Sequence, residues 1–254
     1  MRKCLSIIHY EYKMQMKRIA TWGVLIVAVI VALLDNYPSS GNLARLEFLT
    51  QPSYFVYRTM SLDGLIMIFG LMFLLSSRMP LDKKTSVKSL MMASPITKGQ
   101  YVLGKLVGGF LYTYTILAIF LTLNTLIYFI AVPFETSITD CAIPLVKTLV
   151  MSALPVSVFV SFVSIALPAV MDIRLFYLLA SVLFIVNAAS VGSAEQMPFY
   201  LITSGDLMKL IWQHPKYPFT NIGSIQANAI FLIGCGITAF VSLFLKRKFW
   251  RTES

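Results

Sequence analysis

Residues 106–132 read LVGGFLYTYTILAIFLTLNTLIYFIAV, a continuous apolar stretch without a charged side chain. The hydrocarbon core of a bilayer is about 30 Å thick, and an α-helix rises about 1.5 Å per residue. A helix over this stretch is therefore long enough to cross the core with some tilt. The stretch predicts a transmembrane helix and decides the class of fold.

Similar apolar stretches lie on both sides of this one. Hydrophobic residues make up 57% of the chain and charged residues only 13%, and the mean hydropathy is +0.77. These values exclude an ordinary soluble protein. The sequence predicts an all-α membrane protein with a single transmembrane domain over 1–254 and six membrane helices, at 19–34, 59–77, 106–132, 148–170, 175–192 and 227–245.

The positive charges of the chain follow this division into helices. Of the 21 lysines and arginines, sixteen fall before the first helix, between helices two and three, at Arg174, or after residue 245. Cytoplasmic loops carry such an excess, so we expect both termini in the cytoplasm. The net charge of +10 then reflects membrane topology, and no nucleic-acid partner is expected.

The sequence lacks the usual signatures of enzymatic chemistry. Gly104-Lys105 is not part of a G-x-x-x-x-G-K-[ST] phosphate loop, and no G-x-S-x-G nucleophile motif occurs. His9 and His214 are predicted on opposite sides of the membrane, where they cannot share a metal ion. We therefore expect neither catalysis nor a cofactor or metal in this chain.

Few polar side chains fall inside the predicted helices. Asp63 lies near one end of helix two, where interfacial anchoring is favoured over an ion site because the carboxylate could reach headgroup water. Asn124 and Asn187 are typical of hydrogen bonds between helices, although either could bind a substrate. Transport driven by a carboxylate relay would have little to use.

The segment before the first helix has an apolar stripe. Leu5, Ile8, Tyr12 and Met16 follow one another at steps of three and four residues. This spacing is typical of an amphipathic helix, here over 1–18, that lies in the membrane interface. A basic leader that only orients helix one is the alternative.

Residues 78–105 form the most informative segment. Pro80 can begin a helix, Asp82 favours its positive end, and Pro95 opposes its continuation. We therefore predict a cytoplasmic helix at 80–94. Its apolar side is Leu81, Val87, Leu90 and Met91.

This segment resembles the membrane permease subunits of ATP-binding-cassette exporters, in the subclass with six helices per subunit. Many members carry Gly-Thr at the position of Ser86-Val87, where this chain departs from the pattern. The family places a short coupling helix between an acidic and basic cluster and a Gly-Lys pair. The matching residues are Asp82-Lys83-Lys84, Leu90-Met91-Met92, Ser94-Pro95-Ile96-Thr97, Tyr101-Val102-Leu103 and Gly104-Lys105.

The resemblance implies two kinds of protein partner in a membrane of the bacterial plasma-membrane type. One is an ATP-binding-cassette ATPase subunit that holds the ATP and Mg²⁺, and the other is a second permease copy, identical or related. It also implies that residues 198–202 and 207–212 dip into the outer leaflet, with a plain loop as the alternative. The residues expected to couple to the ATPase are Asp82, Lys83, Lys84, Val87, Leu90, Met91 and Pro95.

A transport path with few fixed charges favours an amphipathic or hydrophobic substrate. The resemblance points to a peptide, such as a toxin, a bacteriocin or a phenol-soluble modulin. The alternatives are a self-contained channel or secondary transporter, and a scaffold or sensor subunit. In the family the path lies between subunits, at helices one, two and five. The candidate path residues on these helices here are Trp22, Phe69, Phe73, Phe184 and Asn187. Packing within the chain or contact with lipid is the alternative explanation for each of them.

Overall fold

The computed structural model describes residues 2–46, 48–84, 96–131, 137–190, 199–202, 204–213 and 221–246. These residues form helices joined by short connections, and none of them lies in a β-strand. The prediction of an all-α fold is confirmed.

Six of the helices are long and apolar enough to cross a membrane, as predicted. We call them spans one to six in chain order. Their bounds are Ile19–Asn36, Pro52–Asp82, Lys98–Ala131, Ile138–Val170, Ile173–Ser190 and Ile222–Leu245.

Several spans are longer than predicted because the helices continue through polar residues at their ends. Span two begins at Pro52, which occupies the first helical turn, where its missing N–H is tolerated. It consists of the helices Pro52–Arg58, Gly64–Ser76 and Arg78–Lys84, with a π-helical segment at Thr59–Asp63. Span four has a second π-helical segment, Leu149–Ala153, after the helix Ile138–Thr148 and before the helix Leu154–Val170.

An amino-terminal helix, Arg2–Met16, packs along the first half of span three. Two glycines of span three make the close approach possible. A Cβ at Gly104 would lie 2.6 Å from Cγ2 of Ile7, and a Cβ at Gly108 would lie 2.8 Å from Cβ of Glu11. Any larger side chain at these two positions would push the helices apart.

The face of the amino-terminal helix that contacts the bundle overlaps only in part with the predicted apolar stripe, of which Tyr12 and Met16 pack partly buried against the core. Its buried residues are Ile7, Glu11 and Gln15. Leu5, which belongs to the stripe, is 62% exposed. The helix therefore buries a partly polar face, and the reason is the charge cluster described below.

Spans two and four form the centre of the bundle, because 67% and 61% of the residues in their most apolar stretches are buried. Span four packs most extensively against span six, and it also contacts spans two and three. Spans one, five and six are only 28%, 17% and 28% buried. These three spans leave most of their apolar surface available to lipid or to another subunit.

All three cysteines of the chain are free. Cys141 lies in the first part of span four and is buried, because this span begins at Ile138, before the predicted start at 148.

Candidate functional site

Four charged side chains are buried together at the end of the bundle that carries the amino-terminal helix. Glu11 comes from that helix, Arg78 and Asp82 from the end of span two, and Lys105 from the first part of span three. Their side chains are between 2% and 7% exposed. Together with Tyr101, we call these residues the charge cluster.

Glu11 binds both cations of the cluster. Arg78 donates from Nε to Glu11 Oε1 across 2.9 Å, and Lys105 donates from Nζ to Glu11 Oε2 across 3.0 Å. Gln15, one turn further along the helix, donates from Nε2 to Glu11 Oε1 across 2.9 Å. The carboxylate therefore connects the amino-terminal helix to spans two and three.

Lys105 also binds the second carboxylate. Its Nζ lies 2.5 Å from Asp82 Oδ2, and the Tyr101 hydroxyl donates to the same oxygen across 2.5 Å. Asp82 thus joins the last turn of span two to the first turns of span three. Lys105 is the common partner of both carboxylates.

The cluster contains two positive and two negative charges, so its net charge is zero. Burying a charge is costly unless it is paired and hydrogen-bonded. Burial raises the pKa of Glu11, but the positive charges of Lys105 and Arg78 lower it by more than burial raises it. The pKa of Glu11 therefore lies below the ordinary value of 4.5. Glu11 is therefore ionised at neutral pH.

Hydrogen bonds extend from the cluster along the same helices. Arg18 donates to Gln15 Oε1 across 3.3 Å and to the Leu74 carbonyl oxygen of span two across 2.9 Å. The hydroxyls of Thr21 and Tyr112 lie 2.9 Å apart and join span one to span three. These bonds connect the amino-terminal helix and span one to the residues of spans two and three on both sides of 85–95.

The cluster flanks the segment that resembles a coupling helix. Asp82 lies three residues before residue 85, and Lys98–Ala131 begins three residues after residue 95. Residues 85–95 lie outside the described residues, and with them four of the seven proposed coupling residues. These four are Val87, Leu90, Met91 and Pro95.

The other three coupling candidates differ in exposure. Asp82 is buried in the charge cluster, whereas Lys84 is exposed. The side chain of Lys83 lies outside the described residues. Asp82 therefore acts on span three, through Lys105, rather than on solvent.

The predicted start of the coupling helix needs correction. Pro80 does not begin a helix, because it lies inside Arg78–Lys84, which follows the helix Gly64–Ser76 of span two directly after Ser77. Asp82 therefore forms a salt bridge with Lys105, whereas the sequence predicted that it would stabilise a helix terminus.

Glu11, Arg78, Tyr101 and Lys105 were not recognised as a group from the sequence. The available signal was weak: Glu11 is the only acidic residue before Asp35, in a segment rich in lysine and arginine. A lone acid in an amphipathic basic helix indicates a specific cationic partner.

Three of the five path candidates lie together between spans two and five. Phe69 contacts Phe73 and Phe184, with ring centroids 4.6 and 4.7 Å apart. Phe73 stacks on Tyr177 at 4.7 Å, and the Tyr177 hydroxyl accepts a hydrogen bond from Ser76. These partly buried rings form an aromatic cluster where the two spans meet.

The other two path candidates lie elsewhere. Asn187 is 8% exposed, and its amide is used within the chain, since Oδ1 accepts from Leu201 N and Nδ2 donates to the Leu183 carbonyl oxygen, each across 2.9 Å. Asn187 therefore holds the backbone of Leu201 in place.

Trp22 is 41% exposed and donates from Nε1 to the Met16 carbonyl oxygen.

Asp63 belongs to a polar network at the opposite end of the bundle. It is 2% exposed and accepts a hydrogen bond of 2.6 Å from Asn36, which in turn accepts one from Arg58. Arg58 and Arg45 both pair with Asp35 at 2.8 Å. The expectation that the Asp63 carboxylate reaches headgroup water was wrong, because Asn36 binds it inside the bundle.

Two described parts of the connection between spans five and six, 199–202 and 204–213, pack against this end of the bundle. Tyr200, Leu201 and Ile202 are buried, and Asn228 of span six binds both the N–H and the carbonyl oxygen of Tyr200. A helix follows at Gly205–Trp212, and the Trp212 indole donates to Thr148 across 3.0 Å. This helix includes residues 207–212, and it packs against spans two, four and six.

The described residues contain no group of three or more His, Cys, Asp and Glu side chains that could hold a metal ion. Comparisons with protein-family models, with curated proteins and with solved structures found no match to the chain.

Proposed function

We propose that the chain is the membrane subunit of an ATP-driven exporter, and that ATP is hydrolysed by a separate ATP-binding-cassette subunit. The observation that carries this proposal is the charge cluster on both sides of residues 85–95. The cluster supports a role for residues 85–95 as the ATPase contact. The residues on both sides of 85–95 are joined by ion pairs to each other and to the amino-terminal helix.

The cluster suits the transmission of a mechanical displacement. Separating one helix from the others would leave a buried charge unpaired, at a cost of about 3–5 kcal/mol. A displacement of residues 85–95 by the ATPase is therefore expected to move the connected helices together. Asp82 and Lys105 carry the displacement between spans two and three, and Glu11 carries it to the amino-terminal helix.

The path in this proposal lies between two copies of the subunit, identical or related. A chain of six packed helices has little room for a peptide inside it. Spans one and five are mostly exposed, and the aromatic cluster of Phe69, Phe73, Phe184 and Tyr177 lies at the edge of span five. Its apolar rings favour an amphipathic or hydrophobic substrate, and we assign a toxin or antimicrobial peptide.

In the proposed orientation, the end that carries the charge cluster faces the cytoplasm of a bacterial-type plasma membrane. This end contains the amino-terminal helix, the loop between spans two and three, Arg174 and Lys246. The concentration of basic residues there supports the assignment through the positive-inside rule.

The proposal can be tested with the complex isolated from its native membrane. We expect a protein with a phosphate loop to co-purify, and vesicles containing both subunits to accumulate a fluorescent amphipathic peptide when ATP is added. A control complex with the phosphate-loop lysine of the ATPase changed to alanine should not accumulate it. Peptide accumulation by the permease chain alone, without ATP, would contradict the proposal and favour a secondary transporter.

A further inference from the structure

An apolar groove runs along the side of the bundle between spans five and six. Its volume is about 380 Å³. Met72 of span two and Phe159 of span four form its floor, and both are buried. Leu179 of span five and Thr238 of span six are exposed at its rim. The groove therefore opens sideways, toward the surface that a bilayer would cover.

The two hydroxyl groups that line the groove are already hydrogen-bonded. The Thr238 hydroxyl donates to the Cys235 carbonyl oxygen, and the Ser242 hydroxyl donates to the Thr238 carbonyl oxygen, each across 2.8 Å. Neither hydroxyl needs a partner from an occupant, so a hydrocarbon chain can lie against them without leaving a buried donor unpaired.

One end of the groove is positively charged. Lys246 lies one turn beyond Ser242 and donates from Nζ to the Val170 carbonyl oxygen, while Arg174 is exposed just before the lining residue Phe176. Next to Arg174, the exposed carboxylate of Asp172 accepts a hydrogen bond from the Arg174 backbone N–H across 2.7 Å. These three described residues carry two positive charges and one negative charge, and the excess of positive charge complements a phosphodiester.

From this combination we infer that the groove is a binding site for an anionic phospholipid. One acyl chain fills the groove, and the phosphate lies against Arg174 and Lys246. The volume is more than twice the roughly 150 Å³ of an apolar cavity that holds benzene. A second copy is the poorer occupant, because a two-fold contact through the groove would bring both cationic ends of the two chains together.

The site is independent of any ATPase, so it can be tested with the full-length chain alone. The chain is placed in nanodiscs of equal parts phosphatidylglycerol and phosphatidylcholine, and the retained lipid is identified by native mass spectrometry. We expect the wild-type protein to retain phosphatidylglycerol preferentially. Thr238→Trp, which fills the groove, should abolish this retention, and Ile237→Trp, on the neighbouring exposed position, should not.

The headgroup contact has its own variant and control. Arg174→Gln combined with Lys246→Gln should lower the preference for phosphatidylglycerol about tenfold. Lys13→Gln, which removes an exposed cation from the amino-terminal helix, should leave it unchanged. Leu179→Trp fills the groove from span five and serves if Thr238→Trp does not fold. Unchanged lipid retention in a folded groove-filling variant, or a Thr238→Cys crosslink between two copies, would overturn the inference.

Discussion

Lys105 Nζ of span three lies 3.0 Å from Glu11 Oε2 of the amino-terminal helix, and this ion pair is almost completely buried. It connects residues that are 94 positions apart in the chain. Because the same ammonium group also binds Asp82, three helices meet at a single side chain. This relationship is the basis of the coupling proposal.

Glu11→Gln should destabilise the protein by about 3–5 kcal/mol, since Arg78 and Lys105 would lose the carboxylate that compensates their charge. The measurement is thermal unfolding in detergent, followed by tryptophan fluorescence. Lys13→Gln, an exposed substitution on the same helix, should change stability by no more than about 0.5 kcal/mol. Equal unfolding temperatures for Glu11→Gln and the wild type would show that the ion pairs do not hold the helices.

The pH dependence of this difference follows from the lowered pKa of Glu11. The stabilisation is fully present above the ordinary pKa of 4.5, decreases as the pH falls below it, and disappears below the folded-state pKa. The difference in stability between the wild type and Glu11→Gln should therefore be constant between roughly pH 6 and 8 and should decrease in acid. A gap that grows in acid would contradict the assigned pairing.

Gly108→Ala should weaken the packing of the amino-terminal helix on span three by about 1–3 kcal/mol. The added Cβ would lie 2.9 Å from the Ile8 carbonyl oxygen, which is backbone and cannot rotate away. Gly99→Ala provides the matched control in the same helix, because nothing lies within 4 Å of its Cβ. There, the better helix propensity of alanine should leave stability equal or slightly higher. Hydrogen exchange in residues 2–16 distinguishes the two variants, and equal protection in both would count against the close approach.

Phe73→Ala should change the stimulation of ATP hydrolysis by an amphipathic peptide in the reconstituted complex, while basal hydrolysis and assembly stay near the wild-type level. The reason is the loss of the ring that stacks on Tyr177 in the aromatic cluster between spans two and five. Phe244→Ala, which removes an exposed ring at the end of span six, is the control. Wild-type peptide stimulation in Phe73→Ala would remove this cluster from the proposed path.

Asn187→Leu tests a different part of the same proposal. Because its amide holds the Leu201 N–H, we expect faster hydrogen exchange in residues 199–202 as well as altered peptide stimulation. A changed stimulation without a change in exchange would instead place Asn187 in direct contact with the peptide.

The orientation of the chain can be measured with single cysteines in a background without Cys4, Cys141 and Cys235. In intact cells a membrane-impermeant maleimide should label Arg45→Cys and Lys209→Cys, whereas Lys84→Cys and Lys248→Cys should react only after the cells are opened. Labelling of Arg45→Cys only from the cytoplasmic face would reverse the proposed topology and remove the argument for an ATPase at residues 85–95.

The number of spans could be predicted from the sequence because each apolar core is long and contains at most one charged residue. Their ends could not, since polar residues continue the helices beyond the apolar cores, as Arg58 does in span two, where it pairs with Asp35. The same reasoning explains Asp63. Its position near an apparent helix end suggested exposure, but Asn36, from a different span, binds it in the interior.

The charge cluster was hidden for a related reason. Topology already explained each lysine and arginine separately, and nothing in the local sequence pairs Glu11 with Lys105. The glycines at 104 and 108 were the accessible clue, because small residues four apart on an apolar helix indicate a close helix contact. By contrast, Phe69, Phe73 and Phe184 were candidates for a path between subunits, which the resemblance implies, and the structure brings their rings together within one chain.

The most direct test of the central claim is photo-crosslinking from Leu90 and Met91 in native membranes. A photoreactive phenylalanine derivative is placed at either position, and at exposed Phe199, at the opposite end of the bundle, as the control. We expect both coupling positions, and not position 199, to form a crosslink to an ATPase subunit with a phosphate loop. A normally inserted chain that crosslinks no such protein at Leu90 or Met91, or crosslinks it through position 199, would contradict the proposed function.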